Sequence, residues 1–155
     1  MPKIDLDQVP VEQGSRYPAP YDEPCRARRA QRLALAAGLE QFGVNLVTLP
    51  PGAWSSQRHW HGHEDEFVYV VSGELVLIDD DGETAMAAGD CAGFKGGERN
   101  GHHLVNRSGA DAVFLAVGSR LDPDFGEYPD IDMKWGPGRY THGGSYTRKN
   151  GDPFG

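Results

Sequence analysis

The chain has 155 residues and a formal net charge of −8, from 15 Lys and Arg against 23 Asp and Glu. That length supports one sizeable core rather than two, and that charge repels phosphate backbones and anionic lipid, so neither nucleic acid nor a membrane is an expected partner. A hydrophobic content of 38% excludes a disordered chain, and 21 Gly with 11 Pro favour short strands joined by turns over long helices.

Residues 1–42 read as an arm followed by a short helix. Five prolines, Pro2, Pro10, Pro18, Pro20 and Pro24, make the first 24 residues extended. The start Met1-Pro2-Lys3-Ile4-Asp5 lacks the apolar core of a secretion signal, and no run approaches the roughly 20 apolar residues that span a bilayer, so a cytoplasmic protein is expected. Arg26 to Ala37 holds good helix formers, with Asp22 as a cap and Gly38 as a stop. Arg26, Arg28, Arg29 and Arg32 are expected to pair with acidic neighbours or face water. Cys25 and Cys91 have neither metal-ligand spacing nor the number for a disulfide framework, and are read as plain thiols.

Residues 43–118 carry strand periodicity, with segments near 43–49, 53–61, 66–72, 74–79, 83–87, 90–95, 101–106 and 111–118. Asp81-Gly82 marks a hairpin turn. Strands this short and numerous predict an all-β barrel or jelly roll whose interior forms a pocket. Residues 119–155 are rich in Gly and Pro and read as irregular. Phe125, Tyr128, Trp135, Tyr140, Tyr146 and Phe154 are nonetheless too large and apolar for a solvated tail, so some should pack on the barrel or on a second subunit. With the arm and tail both short of burial, a homodimer is expected.

The stretch most informative for function is Arg58-His59-Trp60-His61-Gly62-His63-Glu64-Asp65-Glu66. In a strand His59 and His61 point the same way, about 6–7 Å apart, and Trp60 points opposite. Glu66 opens the next strand and can bring a carboxylate to the two imidazoles. Farther on, only one of His102 and His103 can face inward, and His102 is chosen. Gly52, His59, His61, Glu66 and Gly73 fall into the first motif of the cupins, and Gly89, His102 and Asn106 resemble the second, with Lys95 where a proline is usual. The likeness covers roughly residues 43–118, and the flanks resemble small one-domain bacterial cupins loosely labelled sugar-phosphate-isomerase-like.

The resemblance implies a double-stranded β-helix barrel holding one divalent transition metal through His59, His61, Glu66 and His102. Three imidazoles and one carboxylate suit Fe, Mn, Ni, Co or Zn, and leave open positions for water, dioxygen or a chelating substrate. His63, Asp65, Tyr140 and His142 are candidate acids or bases, with Asp65 also the fallback ligand. Lys95 and Arg99 are candidate contacts for an anionic substrate. Three functions follow as expectations: a metal-dependent isomerase, lyase or decarboxylase acting on a small polar substrate; an iron-dependent dioxygenase; or a non-catalytic module that binds a sugar or carboxylate.

Overall fold

Which strands form, and which way they face, follows from the alternation of apolar residues in the middle of the chain. In the computed structural model, which describes residues 2–155, Val47 and Leu49 of β3 (Phe42–Leu49), Val68 and Val70 of β5 (Glu66–Ser72) and Phe114 of β10 (Ala112–Ser119) all turn inward and are buried. Met1, the first residue of the expected arm, lies outside the described residues. β10 runs antiparallel between β3 and β5. With β1 (Val11–Gln13), β2 (Arg29–Arg32) and β8 (Cys91–Phe94) they form a six-stranded sheet in the order β1-β2-β3-β10-β5-β8.

Two smaller sheets complete the jelly roll. β6 (Glu74–Asp79) and β7 (Gly82–Ala87) form a hairpin, and β9 (His103–Val105) pairs with the free edge of β6. Gly73, which joins β5 to β6, has φ +78°, and a Cβ there would stand 2.7 Å from the Ala112 backbone, so the turn admits only glycine. The turn between β6 and β7 is Asp80-Asp81, one residue earlier than expected, with Gly82 as the first strand residue. The core of the two facing layers comprises Val47, Leu49, Val68, Val70, Leu75, Met86, Leu104 and Phe114. The strands thus divide among separate facing sheets rather than closing into one continuous barrel.

The third sheet corrects the reading of the tail as irregular. β11 (Gly126–Tyr128), β12 (Met133–Trp135) and β13 (Tyr146–Thr147) line up beside β4 (Trp60–His61), in the order β13-β12-β11-β4. Gly126 pairs with both His61 and Trp135, and a Cβ on it would lie 2.2 Å from the Trp135 ring, so glycine lets the indole pack edge-to-face with His61. The expected strand over 53–61 shrinks to β4, preceded by single bridges from Trp54 to Val105 and from His59 to His102.

The arm is corrected in two respects. The helix expected over Arg26 to Ala37 is instead β2 followed by the single turn α1 (Leu33–Ala36). Ala30 is buried opposite Val47, and β2 is hydrogen-bonded on both sides, so sheet pairing overrides the local helical preference of Ala, Arg and Leu. Arg26, Arg29 and Arg32 meet Asp22, Asp111 and Glu12. The arm and tail also bury each other within one chain: Tyr17 packs on Tyr128 and Tyr146 at 5.4 and 5.3 Å between ring centroids, and Tyr21 packs on Phe154. Their aromatic residues therefore need no second subunit. Both cysteines are free, Cys25 buried and Cys91 exposed, and no helix among the described residues is long and apolar enough to cross a membrane.

Candidate metal centre

Four side chains from three separate stretches meet at one end of the jelly roll. His59 and His102 form a two-residue antiparallel bridge, each backbone N–H donating to the other's carbonyl at 3.2 and 2.9 Å. That bridge sets their rings 5.0 Å apart, and the alternation along the chain sets the His61 ring 5.1 Å from His59. Glu66, at the start of β5, reaches into the group: its carboxylate lies 2.5 Å from His102 Nε2, 3.4 Å from His61 Nε2 and 3.7 Å from His59 Nε2. Phe94 stacks flat on His102 at 3.6 Å and fixes the plane of that ring.

The opposite nitrogen of each imidazole is already engaged. Nδ1 of His59 faces the Gln57 carbonyl at 2.8 Å, Nδ1 of His61 faces Asp124 Oδ2 at 2.8 Å, and Nδ1 of His102 faces the Asn100 carbonyl at 3.4 Å. Acceptors at those positions require protons on Nδ1, so the Nε2 lone pairs point at the carboxylate. Lone pairs facing a carboxylate attract only if a positive charge lies between them. His61 Nε2 is buried with no hydrogen-bond partner among the described residues, a condition a cation relieves.

The electrostatics agree. Burial works to lower the His61 pKa, but Asp124 and Glu66 outweigh it and push the ring up to about 9. Burial works to raise the Glu66 carboxyl, yet the three imidazoles hold it well below the usual carboxylate range. His59, where burial prevails over the attraction of Glu66, lies below the ordinary histidine value. Without an ion the positive charge facing Glu66 is a proton on His61 Nε2, so the pocket favours a proton or a cation in its place beside an ionised Glu66.

Asp124 and Glu64 support this group and were not anticipated from sequence. Asp124 is fully buried just ahead of β11, whose Gly126 pairs with His61, and that pairing brings the acid to the ring. Its second oxygen accepts the backbone N–H groups of His63 and Glu64 at 2.9 and 3.1 Å. Glu64, 3% exposed, accepts from Leu121 N, Tyr140 Oη and Arg139 Nη2 at 2.8, 2.6 and 2.6 Å. His61, Glu64 and Asp124 also lie close enough to hold an ion, but their facing atoms are spent on N–H and O–H donors. They act instead as the hydrogen-bonded backing that orients His61.

The remaining expected residues scatter. Asp65 is exposed and accepts from Gly96 N, and Glu66 is the carboxylate that reaches the imidazoles. His63 is exposed with its ring against Phe125, and His142 is an exposed tail residue packed beside Gly138. Tyr140 reaches the centre only through Glu64. His103 faces away from the cluster, bonded to the Ser56 carbonyl and edge-on to Trp54. A cavity of about 140 Å³ opens beside His61 and His102. Lys95 lines it, whereas Arg99 lies over Trp60, on the side away from the histidines. Asn106 of the second motif is fully buried and structural, its amide bonded to Leu49 O and Ala110 O.

This geometry matches a known family. The cupin domain family matches residues 45–118. A crystal structure of a sugar phosphate isomerase of the cupin superfamily from Silicibacter pomeroyi is 48% identical over 99% of this chain and 97% of that one, with a TM-score of 0.94. A candidate sugar phosphate isomerase from Acidithiobacillus ferrooxidans is 29% identical over 80% of this chain and 78% of that one, with a TM-score of 0.73. A predicted oxalate decarboxylase from Thermotoga maritima, 23% identical over 77% of this chain and 99% of that one at a TM-score of 0.60, shares the fold alone. Comparison with curated proteins gives no match. The chain belongs to the cupin superfamily, and its His/Glu cluster could bind a metal ion.

Proposed function

We propose that this protein is a metal-dependent enzyme of the isomerase, lyase or decarboxylase type, acting on a small polar hydroxy-carbonyl or carboxylate compound. The observation that carries the reading is the convergence of three Nε2 atoms on Glu66, with His61 Nε2 buried and unpartnered. His59, His61, Glu66 and His102 would hold one divalent transition ion, and a bound ion of this kind polarises a carbonyl oxygen and stabilises negative charge that develops there. The name of the S. pomeroyi relative supports the isomerase form of the reading.

The protein's own groups do the rest. Asp124 holds His61 in the tautomer that presents Nε2. Glu64, tied to Arg139 and Tyr140, braces the loop between the ligand strands. The cavity lined by His61 and His102 gives a substrate a place beside the centre. Incubating metal-loaded protein with hydroxy-carbonyl compounds in heavy water tests the reading. Metal-dependent deuterium uptake at the carbon beside the carbonyl, abolished in Glu66→Gln, is expected for the isomerase form; a full panel of hydroxy-carbonyl and carboxylate compounds left unchanged would contradict the enzyme reading.

We further propose a homodimer, formed by a face different from the one suggested by the arm and tail. The outward side of the six-stranded sheet shows Phe67, Tyr69 and Val71 exposed on β5, beside half-buried Leu115 and Val117 on β10 and Val44 and Leu46 on β3. No charged side chain faces outward on these three strands. Two acidic copies repel wherever their charges meet and can approach on this face. The three strands alone offer about 360 Å² per copy from strand geometry, so the flanking β2 and β8 must join them to reach the ~1,200 Å² of a stable pair.

A further inference from the structure

Among the described residues, the lining of the cavity beside the histidines lacks the paired cations that hold a phosphate ester. It holds three carboxylates, Glu64, Asp79 and Glu98, against one cation, Lys95. Glu64 is matched by Arg139 at 2.6 Å. Asp79 and Glu98 form no ion pair among the described residues; the Asp79 oxygens take only the Asp81 N–H at 2.9 Å and the Asn100 amide at 3.4 Å. Two other cations of the same region are turned elsewhere. Arg99 lies over the Trp60 ring, 5.1 Å from its centroid, and Arg58 is held by Asp80 and Asp130.

Phosphate sites are built from arginine forks, lysines, helix N-termini or concave runs of backbone N–H groups. Lys95 is the one such cation among the described residues of this lining, set against the unpaired Asp79 and Glu98. Among the described residues no arginine lines this cavity. Its volume of about 140 Å³ is close to that of an engineered cavity that admits benzene, the scale of a triose rather than a phosphorylated hexose. Asn100 and Lys95 offer N–H donors to hydroxyl and carbonyl oxygens, and the unpaired carboxylates accept from hydroxyls.

We infer that the cavity admits a small uncharged hydroxy-carbonyl compound and rejects its phosphate ester. The inference rests on the reading of the histidine and glutamate cluster as a metal centre, and assigns Asp79 and Glu98 the selection against a dianion. Like charges brought together beside low-dielectric walls repel more strongly than in bulk water. Along the same walls a hydroxyl group finds acceptors.

The test is a ligand-observed NMR titration of zinc-loaded protein with dihydroxyacetone and with dihydroxyacetone phosphate at low ionic strength, with zinc content measured on the same sample. Dihydroxyacetone is expected to bind about tenfold or more tightly than the phosphate. The double variant Asp79→Asn/Glu98→Gln should shrink that gap about fivefold or more, and so should about 0.5 M salt, which needs no substitution. Equal or tighter binding of the phosphate overturns the inference, as does a gap unmoved by both variant and salt. Failure of both compounds to bind a zinc-containing sample overturns it too, with the metal reading intact. A sample that takes up no zinc overturns the metal reading itself, and the inference with it.

Discussion

Asp124→Asn isolates the support of a single histidine with almost no change in shape. The carboxylate has two jobs: one oxygen takes the His61 Nδ1 proton at 2.8 Å, and the other takes two backbone N–H groups at 2.9 and 3.1 Å. An amide has only one oxygen. Whichever way it turns, its NH₂ meets either the imidazole N–H or the two backbone N–H groups, donor against donor, in a site with no solvent access. Losing one charge-assisted hydrogen bond in a buried place costs about 1.5–3 kcal/mol, so the metal-free protein should melt about 3–12 °C lower at roughly 2–4 °C per kcal/mol for a domain of this size. With His61 no longer held in its Nε2-presenting tautomer, metal affinity should fall about 10- to 100-fold. Competition for zinc against a chromogenic chelator reads the affinity, and calorimetric melting of the metal-free protein separates lost packing from lost grip. An affinity within about twofold of wild type would refute the role assigned to Asp124.

Glu66→Gln should abolish stable metal retention, because it removes the one negative charge facing the three imidazoles; elemental analysis after gel filtration checks it. Tyr140→Phe removes the hydroxyl that donates to Glu64 at 2.6 Å and should destabilise by about 1 kcal/mol while leaving metal content unchanged, read by urea unfolding and elemental analysis. His103 is held below its ordinary value of 6.5 mainly by burial, so in acid the unfolded chain takes up its proton first. The stability that wild type holds over His103→Gln should therefore shrink as pH falls below about 6.5 and level off beneath the folded value; urea unfolding of both metal-free proteins at several pH values checks it, and a constant gap would contradict the burial argument. Light scattering should give about twice 16.9 kDa for wild type, and the double variant Phe67→Lys/Tyr69→Lys should give the single-chain mass; a monomeric wild type would remove the sheet-face proposal.

β5 and β10 were legible because each shows alternation that only one register satisfies, with Val68 and Val70 inward and Phe67 and Tyr69 outward. The convergence of His59, His61, Glu66 and His102 was legible through the same alternation and motif spacing. The helix expected over Arg26 to Ala37 was misleading because Ala, Arg and Leu satisfy local helix preference, whereas the partners of β2 lie far away in sequence, in β1 and β3. Glu64 was passed over between His63 and Asp65: its burial depends on Arg139 and Tyr140, some 75 residues away. Asp124 gave no local signal, since an acid between Pro123 and Phe125 in a Gly-rich tail reads as exposed. Only the pairing of Gly126 with His61 carries it inside. The tail's strands are two or three residues long, too short for periodicity to show.

X-ray absorption at the metal edge, on protein purified without added metal, bears most directly on the account. One transition ion per chain, with three imidazole nitrogens and a carboxylate oxygen at about 2.0–2.2 Å, is the predicted result. A chain that carries no ion and takes none up, or an ion whose shell lacks the imidazoles, would contradict it.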